Sequence, residues 1–131
     1  MTFPEFIAEV QARAGLATTK EALMVTDATL SVLGARIYKA PGEKIGSGLV
    51  PQIKEYLEVP YPGLNFGLED FYRRVCVAAN IDLPSARVQC AAVISVLGDA
   101  MAPGEIEDIR TRLPVEYKPL FSWYQGLPAA V

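Results

Sequence analysis

The chain has 131 residues and a mass of 14.2 kDa, room for one compact domain or for two halves sharing one core. It is 51% apolar and 21% charged, and 12 Lys+Arg against 15 Asp+Glu leave a formal charge of −3, without the basic footprint of a nucleic-acid binder. There is no histidine, which removes histidine-based triads, Cys-His dyads, histidine-ligated haem and the common histidine zinc sites.

The opening residues, Met1 to Phe6, reach an acid at Glu5 with no basic region before an apolar core, unlike a signal peptide. Thr2 and Glu5 instead have capping-box spacing, and Phe6, Ile7, Val10 and Ala14 put an apolar stripe on one face of a first helix. Thr18 and Glu21 repeat the box and open a longer helix running through Leu23, Val25, Ala28, Leu30, Leu33 and Ile37. After Ala40-Pro41-Gly42-Glu43 the segment from Ile45 to Leu49 carries Gly46 and Gly48, each costing about 1 kcal/mol in a helix, and reads as irregular or partly loop. Pro51 then starts a short helix through Leu57.

Residues 58–67 form a proline- and glycine-rich join. Leu68, Phe71, Tyr72, Val75 and Ala79 give another amphipathic helix, and Asp82 with Pro84 opens another long one. Its core, Val88 to Leu97, is apolar nearly all round. A buried strand would also suit its Val and Ile content, but length and the alanine pair favour a buried helix. Ile106, Ile109 and Leu113 mark a short helix whose acids come early and bases late, as the helix dipole prefers, with Asp108 and Arg112 one turn apart. Pro114 starts a last helix, expected over Val115 to about Tyr124. The longest uncharged stretch, Pro119 to Val131, has thirteen residues and two prolines, short of the roughly 20 a membrane-spanning helix needs.

The chain repeats itself. Ser31-Val32-Leu33-Gly34 recurs as Ser95-Val96-Leu97-Gly98, a shift of 64, and Ala40-Pro41-Gly42-Glu43 as Ala102-Pro103-Gly104-Glu105, a shift of 62. Phe6, Val10 and Ala14 fall on Phe71, Val75 and Ala79, and Val50-Pro51 on Leu113-Pro114. The expected fold is all-α: two tandem copies of a three-to-four-helix repeat packed into one helical bundle with pseudo-twofold symmetry. Repeat one covers 2–57, the join 58–67, repeat two 68–124 and a tail 125–131. Neither copy of about 60 residues buries enough surface alone.

Residues 92–121, with an apolar helix, then Gly104-Glu105-Ile106-Glu107-Asp108-Ile109-Arg110, then Leu113-Pro114-Val115-Glu116-Tyr117, resemble the signature of an uncharacterised, mostly bacterial family, domain of unknown function 2267. The resemblance is strong over 68–121 and weaker but in register over 3–57. It implies an all-helical, two-repeat protein and carries over no catalytic residue. Gly46-Ser47-Gly48 departs from the pattern by replacing the acidic turn, which puts equivalence of the two halves in doubt at that point.

Chemistry-bearing groups are few. Gly42 to Gly48 has Gly, Lys and Ser, but not in phosphate-loop order and without a preceding strand. No serine lies in Gly-x-Ser-x-Gly or three residues before a lysine. Cys76 and Cys90 are too few for a secreted disulfide scaffold and read as small buried hydrophobes. If helices 68–79 and 84–101 form an antiparallel hairpin, the two lie level and are a redox-pair alternative. The acids Glu69, Asp70, Glu105, Glu107 and Asp108 fall in first helical turns, where capping explains them; divalent-ion or acid–base work is the alternative. Phe121, Trp123, Tyr124 and Leu127 form an uncharged segment suited to partner contact or self-association. The expectation is a cytoplasmic, non-enzymatic protein-interaction or regulatory module without cofactor, metal, nucleic-acid partner or membrane span. The alternative is a small-molecule or cofactor carrier with a pocket between the repeats.

Overall fold

Capping starts the chain as its sequence dictates. In the computed structural model, which describes residues 1–122, Glu5 N–H donates to Thr2 Oγ1 (3.2 Å) while Thr2 N–H donates to Glu5 Oε1 (2.7 Å). This reciprocal box opens α1 (Phe3–Ala14), which Gly15 ends in the left-handed conformation at φ 66°. Thr18 caps α2 (Thr19–Arg36) by accepting from Glu21 N–H at 3.1 Å. The second box is only half made: the Glu21 carboxylate accepts a hydrogen bond from the Thr18 hydroxyl (2.9 Å) in place of the Thr18 N–H. Short α3 (Pro51–Leu57) and the join lead to α4 (Leu68–Ala79) and α5 (Leu83–Ala100), whose cap Asp82 accepts from Ser85 N–H at 2.9 Å. Then come α6 (Glu105–Thr111) and a 3₁₀ helix (Val115–Phe121). The protein is all-α: there is no strand among the described residues.

The two long helices, both of 18 residues, pack on each other at the centre. The 12-residue α1 lies on α5 as well as on its neighbour α2, and the 12-residue α4 lies on α2 as well as on α5. The seven-residue α3 flanks α2, and the seven-residue 3₁₀ helix flanks α5. Phe6 and Val10 of α1, Leu30 and Leu33 of α2, Phe71 and Val75 of α4, and Ile94 and Leu97 of α5 are all buried in the shared core. Helix α5 is apolar nearly all round because its faces meet α1, α2, α4 and the 3₁₀ helix.

Three expectations are corrected. The last helix is 3₁₀ and ends at Phe121: Pro119 lies inside it and lacks the N–H that an α-helical turn would use. Helices α4 and α5 make a corner, turning by 96°, and not an antiparallel hairpin; Asn80, left-handed at φ 56°, begins the turn. The second capping box is replaced by the arrangement described above. Among the described residues no single helix is long and apolar enough to cross a membrane.

Candidate functional site

Some polar side chains bond within a helical turn, and others tie distant parts of the chain together. Gly67, the residue before α4, has no side chain to cap that helix, and a carboxylate from far along the chain does so instead. Leu68 N–H donates to Glu116 Oε1 at 2.7 Å, and a Cβ on Gly67 would lie 2.5 Å from the same oxygen. The next residue, Tyr117, is buried and donates its hydroxyl to Phe66 O (2.7 Å); Arg36 Nε, from the last turn of α2, donates to the same oxygen (2.7 Å). The Arg36 guanidinium lies 5.5 Å from the Tyr117 ring centre, and Arg74 stacks 4.0 Å from that of Phe66. Burial raises the Tyr117 hydroxyl pKa despite the neighbouring Arg36 cation. These groups clamp the end of the join, and they account for Glu116 and Tyr117 of the Leu-Pro-x-Glu-Tyr pattern.

The two Ala-Pro-Gly-Glu segments are engaged across the molecule. Glu43 pairs with Arg112, whose Nη1 also donates to Tyr38 O at 3.0 Å. Arg112 and the Ala40 N–H hold the Glu43 carboxyl down to about 2. Glu105 reaches the other way: Gly46 N–H and Ser47 Oγ donate to its carboxylate at 3.0 and 2.7 Å. The Gly46-Ser47-Gly48 segment, non-helical as expected, is thus a receptor for an internal carboxylate.

The other acids flagged by sequence are paired with arginines. Asp108 meets Arg112 (3.1 Å), Glu107 meets Arg110, Glu69 meets Arg87 (3.0 Å) and Asp70 meets Arg74 (3.3 Å). Among the described residues no group of three or more Cys, Asp or Glu side chains is placed to hold a metal ion. Both cysteines are free thiols, Cys90 buried and Cys76 half-buried. Burial pushes the Cys90 thiol up to about 12, while Thr29 Oγ1 donates to its sulfur at 3.6 Å. Phe121, expected on a contact surface, is fully buried in the core, whereas Trp123, Tyr124 and Leu127 lie outside the described residues.

A face with exposed aromatic side chains lies elsewhere. Gly34, Ile37, Leu57, Val59 and Pro62 line a cleft of about 150 Å³ between α2, α3 and the join, with Lys39 and Glu58 also on its walls. Nearby, Tyr38 is 65% exposed, Tyr61 77% and Leu64 43%, and Gly63 lies against the Tyr38 ring. Leu64 N–H donates to Ala35 O (2.9 Å), fixing the join on the end of α2. A second, more open cleft of about 320 Å³ separates the start of α2 (Lys20, Glu21, Met24) from the α4–α5 corner (Asn80, Ile81) and Gln89. Sequence reasoning missed the tyrosine face. Its signal was Tyr61 between Pro60 and Pro62, where a rigid turn leaves an aromatic ring no helix face to pack on.

These features define a small all-helical bundle whose polar groups staple distant segments together. The family described as "Uncharacterized conserved protein (DUF2267)" matches residues 3–120, and the chain belongs to it. A search of curated proteins finds no match.

Proposed function

We propose that this chain is a non-enzymatic, cytoplasmic protein-interaction module, built as a duplicated helical unit with pseudo-twofold symmetry. The equal lengths of α1 and α4, of α2 and α5, and of α3 and the 3₁₀ helix, together with the reciprocal packing of α1 on α5 and α4 on α2, support the duplication. One observation carries the interaction reading: Tyr38, Tyr61 and Leu64 stand exposed beside a cleft whose lining is part apolar and part charged. Tyrosine is enriched among the anchors of protein recognition, and a cleft of about 150 Å³ takes one large side chain. The test is affinity capture from the native host with the parent chain and with Tyr38→Ala/Tyr61→Ala, alongside light scattering. The expected result is a partner, or a second copy, retained by the parent and lost by a folded double variant. Capture indifferent to both tyrosines overturns this assignment.

The carrier reading draws on the cleft between the two halves, whose volume reaches the lower end of the roughly 300–1,000 Å³ typical of ligand pockets. Native mass spectrometry and an absorption spectrum of freshly purified protein test it, through extra mass or visible colour.

A further inference from the structure

We propose that residues 38–49 form a movable wall of the cleft between α2, α3 and the join, latched by Glu105 and Arg112 from the two ends of α6, and that releasing this latch widens the cleft. The inference rests on the interaction reading above and names how access to that site is controlled. The other walls are fixed to one another. Gly34 of α2 lies against the Leu57 carbonyl of α3, with 2.9 Å between a built Gly34 Cβ and the carbonyl carbon. The join is tied to the end of α2 by Leu64 N–H on Ala35 O at 2.9 Å and by Arg36 Nε on Phe66 O at 2.7 Å. Lys39 and Ile45 complete the lining, and both belong to residues 38–49, which lie in no helix.

Two tight turns shape the wall itself, Glu43 N–H to Ala40 O at 2.9 Å and Leu49 N–H to Gly46 O at 3.0 Å. Its position is set from the second half of the chain. Arg112, which follows α6, donates from Nη1 to Tyr38 O at 3.0 Å and pairs with Glu43. Glu105, the first residue of α6, accepts from Gly46 N–H at 3.0 Å and from Ser47 Oγ at 2.7 Å. Gly46 is buried, so its N–H cannot turn to water and relies on that carboxylate. Gly48 lets the wall close on the second half, where a Cβ would sit 3.3 Å from the Ala102 nitrogen. The buried Ile37 and Leu49 anchor the two ends of the segment. Between them the ties to α6 are hydrogen bonds and an ion pair, which water can replace at small net cost. Both ties come from one seven-residue helix, so a displacement of α6 moves the wall, and a group larger than one side chain enters the cleft once the wall is released.

Amide hydrogen exchange and thiol labelling on the full chain test the latch with no partner present. Ser47→Ala removes one surface donor, and Glu105→Ala/Arg112→Met removes both ties. Exchange at the Gly46 amide is expected to speed up about tenfold or more in the double variant, the worth of one charged hydrogen bond, and less in Ser47→Ala, while Leu64 stays slow. With Ile45→Cys added to each chain, a disulfide-exchange reagent should label position 45 about tenfold faster or more once both ties are gone. Peptide mass spectrometry separates that label from Cys76 and Cys90. Unchanged exchange at Gly46 or unchanged labelling at position 45 overturns the latch. Leu64 accelerating in step with Gly46 in either variant also overturns it, because the fixed and movable walls then open together. The two levels of inference fail separately. Faster exchange and labelling beside capture that ignores Tyr38 and Tyr61 keeps the movable wall and removes the interaction reading; tyrosine-dependent capture beside unchanged labelling does the reverse.

Discussion

Replacing Gly34 with alanine sets two physical effects against each other. Helix propensity alone makes alanine the better residue inside α2 by about 1 kcal/mol. The structure reverses that sign. A Cβ at position 34 would fall on the Leu57 carbonyl oxygen, 2.9 Å from the carbonyl carbon and 3.2 Å from the Cα. All three are backbone atoms at the end of α3, so no side-chain rotation relieves the clash. Helix α3 would have to back away from α2, taking with it Ile53, which is fully buried. Overpacking of this kind costs about 1–3 kcal/mol net, for a fall in Tm of roughly 3–10 °C in a domain of this size. Urea unfolding followed by far-UV circular dichroism measures it, with an unchanged slope identifying the loss as one of stability. A variant as stable as the parent, or more so, refutes the close approach of the two helices.

Glu116→Ala removes the acceptor at the start of α4 and is expected to cost about 0.5–2 kcal/mol in thermal unfolding, with Glu116→Gln costing less because an acceptor oxygen remains. Arg36→Met keeps the apolar stem but loses the charged hydrogen bond to Phe66 O, for an expected loss of about 1.5–3 kcal/mol by urea titration. Glu43 titrates near 2 when folded against 4.5 ordinarily, so its contribution is fully present above about 4.5 and drains away as pH falls toward 2; urea midpoints between pH 6 and 3 should fall less in Glu43→Gln than in the parent. A disulfide-exchange reagent should titrate Cys76 ahead of the buried Cys90 in the native protein, and both at once after denaturation.

The helices were legible because their local signals are strong. Thr2, Thr18 and Asp82 cap where their spacing says, Gly46 and Gly48 keep 45–49 out of a helix, and α5 is a helix despite its β-branched content. What escaped the sequence depends on long-range geometry. The capping of α4 by Glu116 joins residues 48 apart, which no local spacing reveals. The 96° corner is set by how α4 and α5 pack on other helices, whereas an apolar stripe shows only which side is buried. Phe121 looked like part of an uncharged surface segment because composition alone does not distinguish a core aromatic from a contact aromatic. The tyrosine face escaped for the converse reason: exposure of Tyr38 and Tyr61 follows from the join's path over α2, and that path is set by Arg36, Gly63 and Ala35 together.

The criss-cross packing of α1 on α5 and α4 on α2 also bears on synthesis. When synthesis has passed residue 57 but not yet reached α4, the apolar sides of α1 and α2 lack the two helices meant to cover them. Settling into the native arrangement must therefore wait until α5 emerges, and until then the nascent segment carries uncovered greasy surfaces.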